Sequence, residues 1–421
     1  MRHAPYLPKA HVDLARIRAN CRLLLSLLPG PPPASTPCQP ASSRHGADAY
    51  PAAGWPSLMP VVKADAYGHG HIETAAALLE EGASFFASGS VQEAVLLRQG
   101  LAGRARSAPG ILSLLGLVEP DDVALCLANG IIPLVHTPEQ LALVAAVASE
   151  CGPFVLPVAL KCNTGMSRLG FDEAELPHVR ERLRTLPVRP VLAVSHLHSA
   201  DEQDGREQAR GQARVFARFL AALREDWPDV AASLGNSAGA FFAADIADII
   251  GPHVCRPGLA LYGCNPFHGT GFESLGSGLA PAMSVRAPIL ARRTLAPGDG
   301  IGYGHAYRAE KRVPVGIVGA GYSDCYARSL TNKGSMCIGG VRVPVIGRVA
   351  MQMTAVDLSA LPEGIEPPRS AWLLGGPHAA AVSPEELAEL WGTIPYEVFC
   401  LLGRNERAYG PYPKEEPDGS R

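Results

Sequence analysis

The chain has 421 residues, of which 47% are hydrophobic and 18% charged, and its formal net charge is -3. This composition is typical of a globular protein long enough for two domains, and it argues against nucleic-acid and anionic-membrane partners. The 10 cysteines include no Cys-x-x-Cys pair, so we expect reduced thiols in a cytoplasmic protein and no metal site. Neither a signal peptide nor an apolar run of ~20 residues is evident, which predicts no membrane partner.

The chain opens with a predicted strand at residues 10–14 and a predicted helix at residues 15–28. Residues 29–56 follow as a stretch crowded with proline, serine and glycine, which includes PGPPPASTP and cannot form a regular element. We interpret this stretch as a passive surface insertion, and a proline-rich recognition ligand is the alternative.

From residue 58 short apolar runs alternate with segments of helical composition. Eight such runs are candidate strands: residues 58–63, 84–88, 110–115, 131–136, 155–161, 191–197, 231–235 and 254–256. Strands alternating with helices in this way predict an α/β protein with a closed (β/α)8 barrel over residues 10–279.

After residue 279 β-branched runs and turns replace the helical alternation. They predict a mostly-β domain over residues 280–412, followed by a frayed tail at 413–421. One helix is expected near the end of this domain, where Ser383-Pro384-Glu385-Glu386 has the spacing of a capping box.

Reactive side chains fall at the carboxyl ends of the predicted barrel strands, where barrel enzymes carry their chemistry. These residues are Lys63, His136, Lys161, His196, Asn236, Ser237 and Arg256. Desolvation at such a rim would lower the pKa of Lys63 and make its amine available for a Schiff base, although a snorkelling lysine is the alternative. The hydroxyl of Ser237 and the backbone N–H groups of Gly258 and Leu259 are suited to a phosphate.

The string VVKADAYGHG at residues 61–70 resembles the cofactor-lysine motif of alanine racemases, which are pyridoxal-phosphate (PLP) enzymes of fold type III. The resemblance implies that Lys63 holds PLP covalently and that Tyr67 reaches the cofactor phosphate. It also implies that Asn236, Ser237 and the late Tyr396 bind this phosphate.

Further strings resemble the substrate-binding segments of the same family. In KCNTGMSRLG, residues 161–170, the resemblance implies that Arg168 clamps the substrate carboxylate and that Lys161 is carbamylated and orients this arginine. A guanidinium suits a carboxylate because it binds bidentately, whereas a lone arginine more often forms a surface salt bridge. His196 would hydrogen-bond a catalytic base, and Arg256 would face the pyridine nitrogen of PLP and so weaken its electron sink.

GIGYGH at residues 300–305 resembles the segment that carries the second catalytic base, which would be Tyr303. In the family this tyrosine enters the barrel mouth of the other subunit, so the resemblance implies a homodimer with shared active sites. Tyr322 and the backbone of Met351 would line the substrate pocket. The sequence departs from the family at Gln352, where an acid is usual, and at Cys325, where glycine is usual.

The sequence thus predicts an alanine racemase that interconverts L- and D-alanine with the two bases Lys63 and Tyr303 and supplies D-alanine for peptidoglycan. Gln352 keeps open a racemase of broader specificity, acting on serine or basic amino acids. A decarboxylase of the same barrel family and a non-catalytic PLP carrier are two further hypotheses.

Overall fold

The computed structural model describes residues 7–32, 54–104, 107–150, 153–362 and 368–412. Most of the proline-rich stretch and all of the predicted tail lie outside these ranges, and so do the predictions made for them.

Six parallel strands follow one another in chain order to form the first sheet. Their bounds are Phe85–Ser88 (β2), Gly110–Ser113 (β3), Ile131–Val135 (β4), Leu156–Lys161 (β5), Val188–Val194 (β6) and Ala231–Ser233 (β7). Nearly every residue in them is buried, as expected for a sheet that helices cover on its outer face. The predicted α/β alternation is confirmed.

Two short segments continue this sheet around the barrel. Leu58 pairs with Cys255, and Val61 pairs with Ala87 of β2, each as an isolated parallel bridge. The first and eighth predicted strands therefore form single bridges rather than full strands. Pro60 contributes to this because it has no N–H to donate to a ladder.

The helices of this part follow the strands. Their bounds are Leu14–Leu27 (α1), Lys63–Tyr67 (α2, a short turn with left-handed backbone angles), His71–Glu80 (α3), Val91–Gly100 (α4), Pro120–Asn129 (α5), Pro138–Glu150 (α6), Leu176–Thr185 (α7), Gly205–Arg224 (α8) and Ala243–Ile250 (α9). No helix in the described ranges is both long and apolar enough to cross a bilayer.

Strand β6 lies three residues earlier than the predicted run at 191–197, and it ends at Val194. The polar Arg189 and the proline after it conceal the first half of this strand in the sequence. His196 consequently lies in the loop beyond the strand and not within it.

The second sheet is built around the long strand β8, and its main path has the order β13-β12-β15-β8-β1-β16. Its strands are Lys9–Val12 (β1), Met283–Leu295 (β8), Val313–Val318 (β11), Ser335–Ile338 (β12), Val341–Pro344 (β13), Thr354–Asp357 (β14), Ser370–Leu374 (β15) and Glu406–Tyr409 (β16). A small hairpin pairs Gly300–Ile301 (β9) with Tyr307–Arg308 (β10). The expected mostly-β character of this part is confirmed.

The N-terminal strand β1 lies in the second sheet, although the sequence analysis grouped it with the barrel. It runs parallel to β16 and antiparallel to β8. The local pattern of residues 10–14 predicts a strand but carries no information on its partner, which the tertiary fold decides.

Two helices precede the last strand of the second part, α10 (Pro384–Trp391) and α11 (Pro395–Leu402). The side chain of Ser383 caps α10 by accepting from the N–H of Glu386 at 3.1 Å, as the capping spacing predicts. Helix α11 is not foreseen by the sequence analysis. One connected apolar core includes residues of the barrel, the second sheet and α11, so the two parts pack against each other.

Candidate active site

The site begins with an unusual turn at Lys63. Directly after the first barrel segment, four consecutive non-glycine residues, Ala64 to Tyr67, have φ between 52° and 55°. This is the left-handed region, where a non-glycine residue costs roughly 1–2 kcal/mol. The turn carries Lys63 at its start and Tyr67 at its end, so its shape decides where both side chains lie.

The residues after the turn satisfy its backbone. The Nδ1 atom of His69 lies 3.0 Å from the carbonyl oxygen of Ala66 and 3.1 Å from that of Tyr67, so Nδ1–H donates. Burial lowers the pKa of His69 to about 4, which keeps the ring neutral and in this role. Gly68 has φ 80°, and a Cβ there would overlap the carbonyl oxygen of Phe399. The turn therefore needs specific residues beyond Tyr67, which explains why the motif at residues 61–70 continues through Gly68 and His69.

A cluster of donors lies beside Tyr67. The buried Ser237 hydroxyl accepts from the N–H groups of Gly258 at 3.0 Å and Ala260 at 3.2 Å. Gly258 lies so close to the Tyr67 hydroxyl that a Cβ on it would overlap that oxygen. The Tyr396 ring lies 5.7 Å from the Tyr67 ring, centroid to centroid. Hydroxyls and backbone N–H groups therefore converge as a phosphate site requires.

Asn236 has a different position from its neighbour Ser237. Its Oδ1 accepts from the N–H of Gly239 at 2.8 Å, and its Nδ2 donates to the carbonyl of Leu197 at 3.3 Å. Both ends of this amide therefore join the loops after β6 and β7.

Arg256 lies on the inner side of the rim and is only 4% exposed. Its Nη1 donates to the Ser233 hydroxyl, and its Nη2 donates to the carbonyl of Ser195 at 2.5 Å. Burial lowers the pKa of Arg256 to about 10, so the guanidinium stays protonated at neutral pH. It is therefore a fixed cation and a hydrogen-bond donor.

The pKa shifts of the neighbouring groups show that the predicted rim residues act on one another. Partial burial, followed by the charge of Arg168, lowers the pKa of Lys63, which keeps part of its surface accessible to solvent. Burial and the charge of Arg256 lower the pKa of Lys161 to about 7. Burial and the charges of Arg256 and the two lysines hold the pKa of His196 well below its usual range. Such a cationic rim suits an anionic cofactor and a carboxylate substrate.

Gln212 of α8 is a buried residue that the sequence analysis missed. Its Nε2 donates to the Thr164 hydroxyl at 2.8 Å and to the carbonyl of His196 at 3.0 Å, and its Oε1 accepts from the N–H of His198 at 3.0 Å. It thereby ties the loop after β5 to the loop after β6. A lone glutamine on an amphipathic helix gives no local signal of such a role.

Glu93 of α4 was missed as well. Its Oε1 accepts from the N–H of Asp65 at 3.1 Å, and its Oε2 accepts from the N–H of Gly89 at 2.7 Å. The carboxylate thus supports the start of the lysine turn. The Ser90-x-x-Glu93 spacing, which is that of a capping box, is the signal that could have indicated it.

Tyr303, Tyr322 and Met351 all lie exposed on the second part, with 71%, 43% and 58% of their surfaces accessible. The loops of the last two are joined, because the N–H of Tyr322 donates to the carbonyl of Ala350 at 3.1 Å. None of the hydrogen bonds and charge interactions of the barrel rim described above reaches these three residues.

The two departures from the family pattern also lie in this part. Gln352 is exposed beside Met351. Cys325 has φ 64°, which explains why glycine suits this position best. The described residues contain no group of three or more His, Cys, Asp or Glu side chains that could hold a metal ion.

Comparisons with known proteins agree with this geometry. The family model "Alanine racemase, N-terminal domain" matches residues 50–266, and "Alanine racemase, C-terminal domain" matches residues 282–409. The chain is 46% identical to an alanine racemase of Nitratidesulfovibrio vulgaris (strain Miyazaki F) over 356 residues, which are 84% of this chain and 92% of that protein.

Two solved structures are similar over the whole fold. The biosynthetic alanine racemase of Pseudomonas aeruginosa superposes with a TM-score of 0.73 at 31% identity, covering 96% of this chain and 100% of that one. The Bartonella henselae alanine racemase with covalently bound pyridoxal phosphate superposes with a TM-score of 0.76 at 26% identity and the same coverage. The chain therefore belongs to the alanine racemase family.

Proposed function

We propose that this protein interconverts L- and D-alanine with PLP held on Lys63, and that it thereby supplies D-alanine for peptidoglycan. The observation that supports this most is the lysine of lowered pKa on a rigid turn, next to a phosphate-type cluster and the buried cation Arg256. When bound, PLP would supply the electron sink that acidifies the α-hydrogen of an amino acid. We also propose a cytoplasmic location.

The residues present fit this cofactor. The close approach of Gly258 to Tyr67 leaves no room for a side chain at position 258, so the backbone of this segment lies directly against the Tyr67 hydroxyl. Tyr67, Ser237, Gly258 and Leu259 would hold the phosphate together with Tyr396, whose pKa burial raises to about 12, so that its hydroxyl remains a donor. Asn236 would support this site through its loop contacts.

Arg256 favours racemisation over other reactions of the cofactor. The protonated guanidinium of Arg256 would donate to the ring nitrogen of PLP and keep it unprotonated, which would weaken the electron sink. A weaker sink disfavours decarboxylation and transamination, which need a long-lived carbanion. Arg168 would bind the substrate carboxylate.

Proton transfer needs one base on each face of the substrate. Lys63, with its lowered pKa, would serve one face, and Tyr303 would serve the other. Tyr303 is 71% exposed on the second part of the chain, which is consistent with contribution to another subunit's site. We therefore propose a homodimer in which Tyr303, Tyr322 and Met351 complete the partner's active site, with His196 hydrogen-bonded to the tyrosine base.

A racemase of broader specificity is not favoured, because the curated relatives of this chain are named alanine racemases. Gln352 still distinguishes this chain within the family pattern. Gln352 is exposed next to Met351. Its replacement of the usual acid bears on substrate preference and on rate, and it leaves the reaction class unchanged.

A direct assay tests the reaction. The protein with PLP should convert L-alanine to the racemate, so that optical rotation decays to zero, and borohydride reduction should attach the cofactor to Lys63. Protein from which hydroxylamine and dialysis have removed PLP should be inactive until PLP is added. Binding of PLP without turnover would support a carrier, release of carbon dioxide from ornithine or diaminopimelate would support a decarboxylase, and equal rates on serine would support broad specificity.

The phosphate cluster is tested by Gly258→Ala. The added methyl overlaps the Tyr67 hydroxyl, and we expect the Kd for PLP to rise about tenfold, which corresponds to ~1.4 kcal/mol. Absorbance titration of the PLP-free protein measures this. Gly211→Ala is the matched control, because a Cβ there meets nothing within 4 Å. Unchanged PLP affinity in Gly258→Ala would contradict the proposed phosphate site.

The shared site is tested by mixing two inactive variants. Lys63→Ala and Tyr303→Phe should each lose roughly 10²–10⁴-fold in activity, because each lacks one base. After unfolding and refolding together, about a quarter of wild-type activity should return, since about half of the dimers are mixed and each carries one intact site. No recovery would mean that sites are not shared, and full activity of Tyr303→Phe would exclude it as a base.

Lys161 is proposed to be carbamylated, and its pKa of about 7 determines how carbamate formation depends on pH. Only the neutral amine reacts with carbon dioxide, and its fraction rises from about a tenth at pH 6 to about nine tenths at pH 8. Carbon-13 NMR with labelled bicarbonate should therefore show a carbamate signal that grows over this range. The signal should vanish in Lys161→Arg and persist in the exposed control Lys333→Arg; persistence in Lys161→Arg would refute the assignment.

A further inference from the structure

The lysine turn is strained and yet carries two residues of the proposed cofactor site. Four successive left-handed residues without glycine do not persist unless their surroundings hold them. His69, which directly follows the turn, and Glu93, on α4 of the barrel, satisfy part of its backbone. The remaining contacts come from the far end of the sequence.

Asp65 is the centre of these contacts. Its Oδ1 accepts from the backbone N–H of His71 at 2.8 Å and lies 2.9 Å from the Nδ1 of the same ring. Its Oδ2 accepts from the Nη1 of Arg407. Burial alone would raise the pKa of Asp65, but the hydrogen bonds from His71 and Arg407 outweigh it and hold the pKa at about 2. The carboxylate is therefore charged throughout the working pH range.

Arg407 also binds the turn directly. Its Nη1 donates to the carbonyl oxygen of Gly68 at 3.1 Å, so one guanidinium contacts both the middle of the turn and its last carbonyl. Arg407 lies on β16, whose pairing with β1 anchors it in the second sheet at the Ala10 position. A residue 342 positions after Asp65 in the chain thus reaches the turn from a rigid strand.

Helix α11 packs against the same turn. A Cβ on Gly403 would overlap the carbonyl oxygen of Gly68, so the two backbones are in close contact. Tyr409 of β16 places its hydroxyl 3.4 Å from the Oε2 of Glu73 on α3. The segment from α11 to β16 therefore forms a wall behind the turn, and the Arg407 guanidinium is its charged contact.

We propose that Arg407 is a positioning residue of the active site, which holds the left-handed turn through Asp65 and the Gly68 carbonyl and so directs Lys63 and Tyr67 toward the cofactor. The consequence for PLP binding rests on the proposed function, whereas the consequence for the turn does not. The alternative is an ordinary ion pair that contributes only to overall stability.

Arg342 provides a matched control. It is partly exposed like Arg407, with side-chain exposures of 34% and 26%, and it also pairs with a carboxylate, that of Glu386. It also donates to the backbone carbonyls of Ala380 and Ala381 at 2.8 and 2.9 Å. Arg342→Ala should therefore lower the unfolding temperature about as much as Arg407→Ala without affecting the turn.

Hydrogen exchange of the PLP-free protein tests the turn itself. The amides of Ala66, Gly68 and Gly70 are hydrogen-bonded within it, and we expect them to exchange about tenfold faster in Arg407→Ala than in wild type. Arg407→Lys should restore part of the protection, because an ammonium can reach one acceptor of the two. Equal exchange at these amides in Arg407→Ala, Arg342→Ala and wild type would overturn the proposal.

The second measurement concerns the cofactor. In Arg407→Ala the Kd for PLP should rise about tenfold and borohydride should label less of Lys63, while Arg342→Ala should match wild type in both. Asp65→Ala should have a similar effect, and the double variant should lose less than the sum of the two single losses, since both single variants remove the shared Arg407–Asp65 contact. If the effects of Arg407→Ala and Asp65→Ala on the Kd for PLP are additive, or if Arg342→Ala weakens PLP binding equally, Arg407 contributes only to overall stability. If wild type itself binds no PLP, the proposed function fails, and the exchange result still decides whether the turn is held.

Discussion

The structure depends on a left-handed turn that receives contacts from both the barrel and the second sheet. The backbone between Lys63 and Gly68 follows a path that only glycine adopts easily, yet it contains alanine, aspartate and tyrosine. Its hydrogen bonds are completed by His69 within the motif, by Glu93 on α4 and by Arg407 on β16. The barrel and the second sheet are therefore coupled at the reactive lysine, and the shared core maintains this coupling.

The charges of the rim follow from the same arrangement. Arg256 is buried with its two polar contacts satisfied by Ser233 and Ser195, so it stays charged and its field reaches Lys161 and His196. A rim with excess positive charge attracts anions and favours neutral amines and imidazoles over their charged forms. Both properties suit the proposed reaction, in which an anionic cofactor and a carboxylate substrate would meet a neutral amine.

The two parts of the chain make different contributions to the site. The barrel supplies titratable groups whose pKa values are shifted first by burial and then by one another's charges. The second part presents Tyr303, Tyr322 and Met351 on its surface, where the barrel contacts described here do not engage them. An exposed tyrosine between two glycines of positive φ has the freedom to fit a surface outside its own chain. This exposure is the basis on which we propose a homodimer.

The sequence by itself determined the alternation of strands and helices, the change to a mostly-β region after residue 279, and the motif residues at the strand ends. Those features are local, because the spacing of apolar residues, the residue types in turns and a ten-residue motif all reflect interactions between residues near one another in the chain. Only the tertiary structure decided that β1 pairs with β8 and β16, that Gln212 joins two loops, and that Arg407 reaches Asp65. These contacts join residues far apart in the chain, and the packing of the whole core selects them, so no local pattern in one sequence carries them.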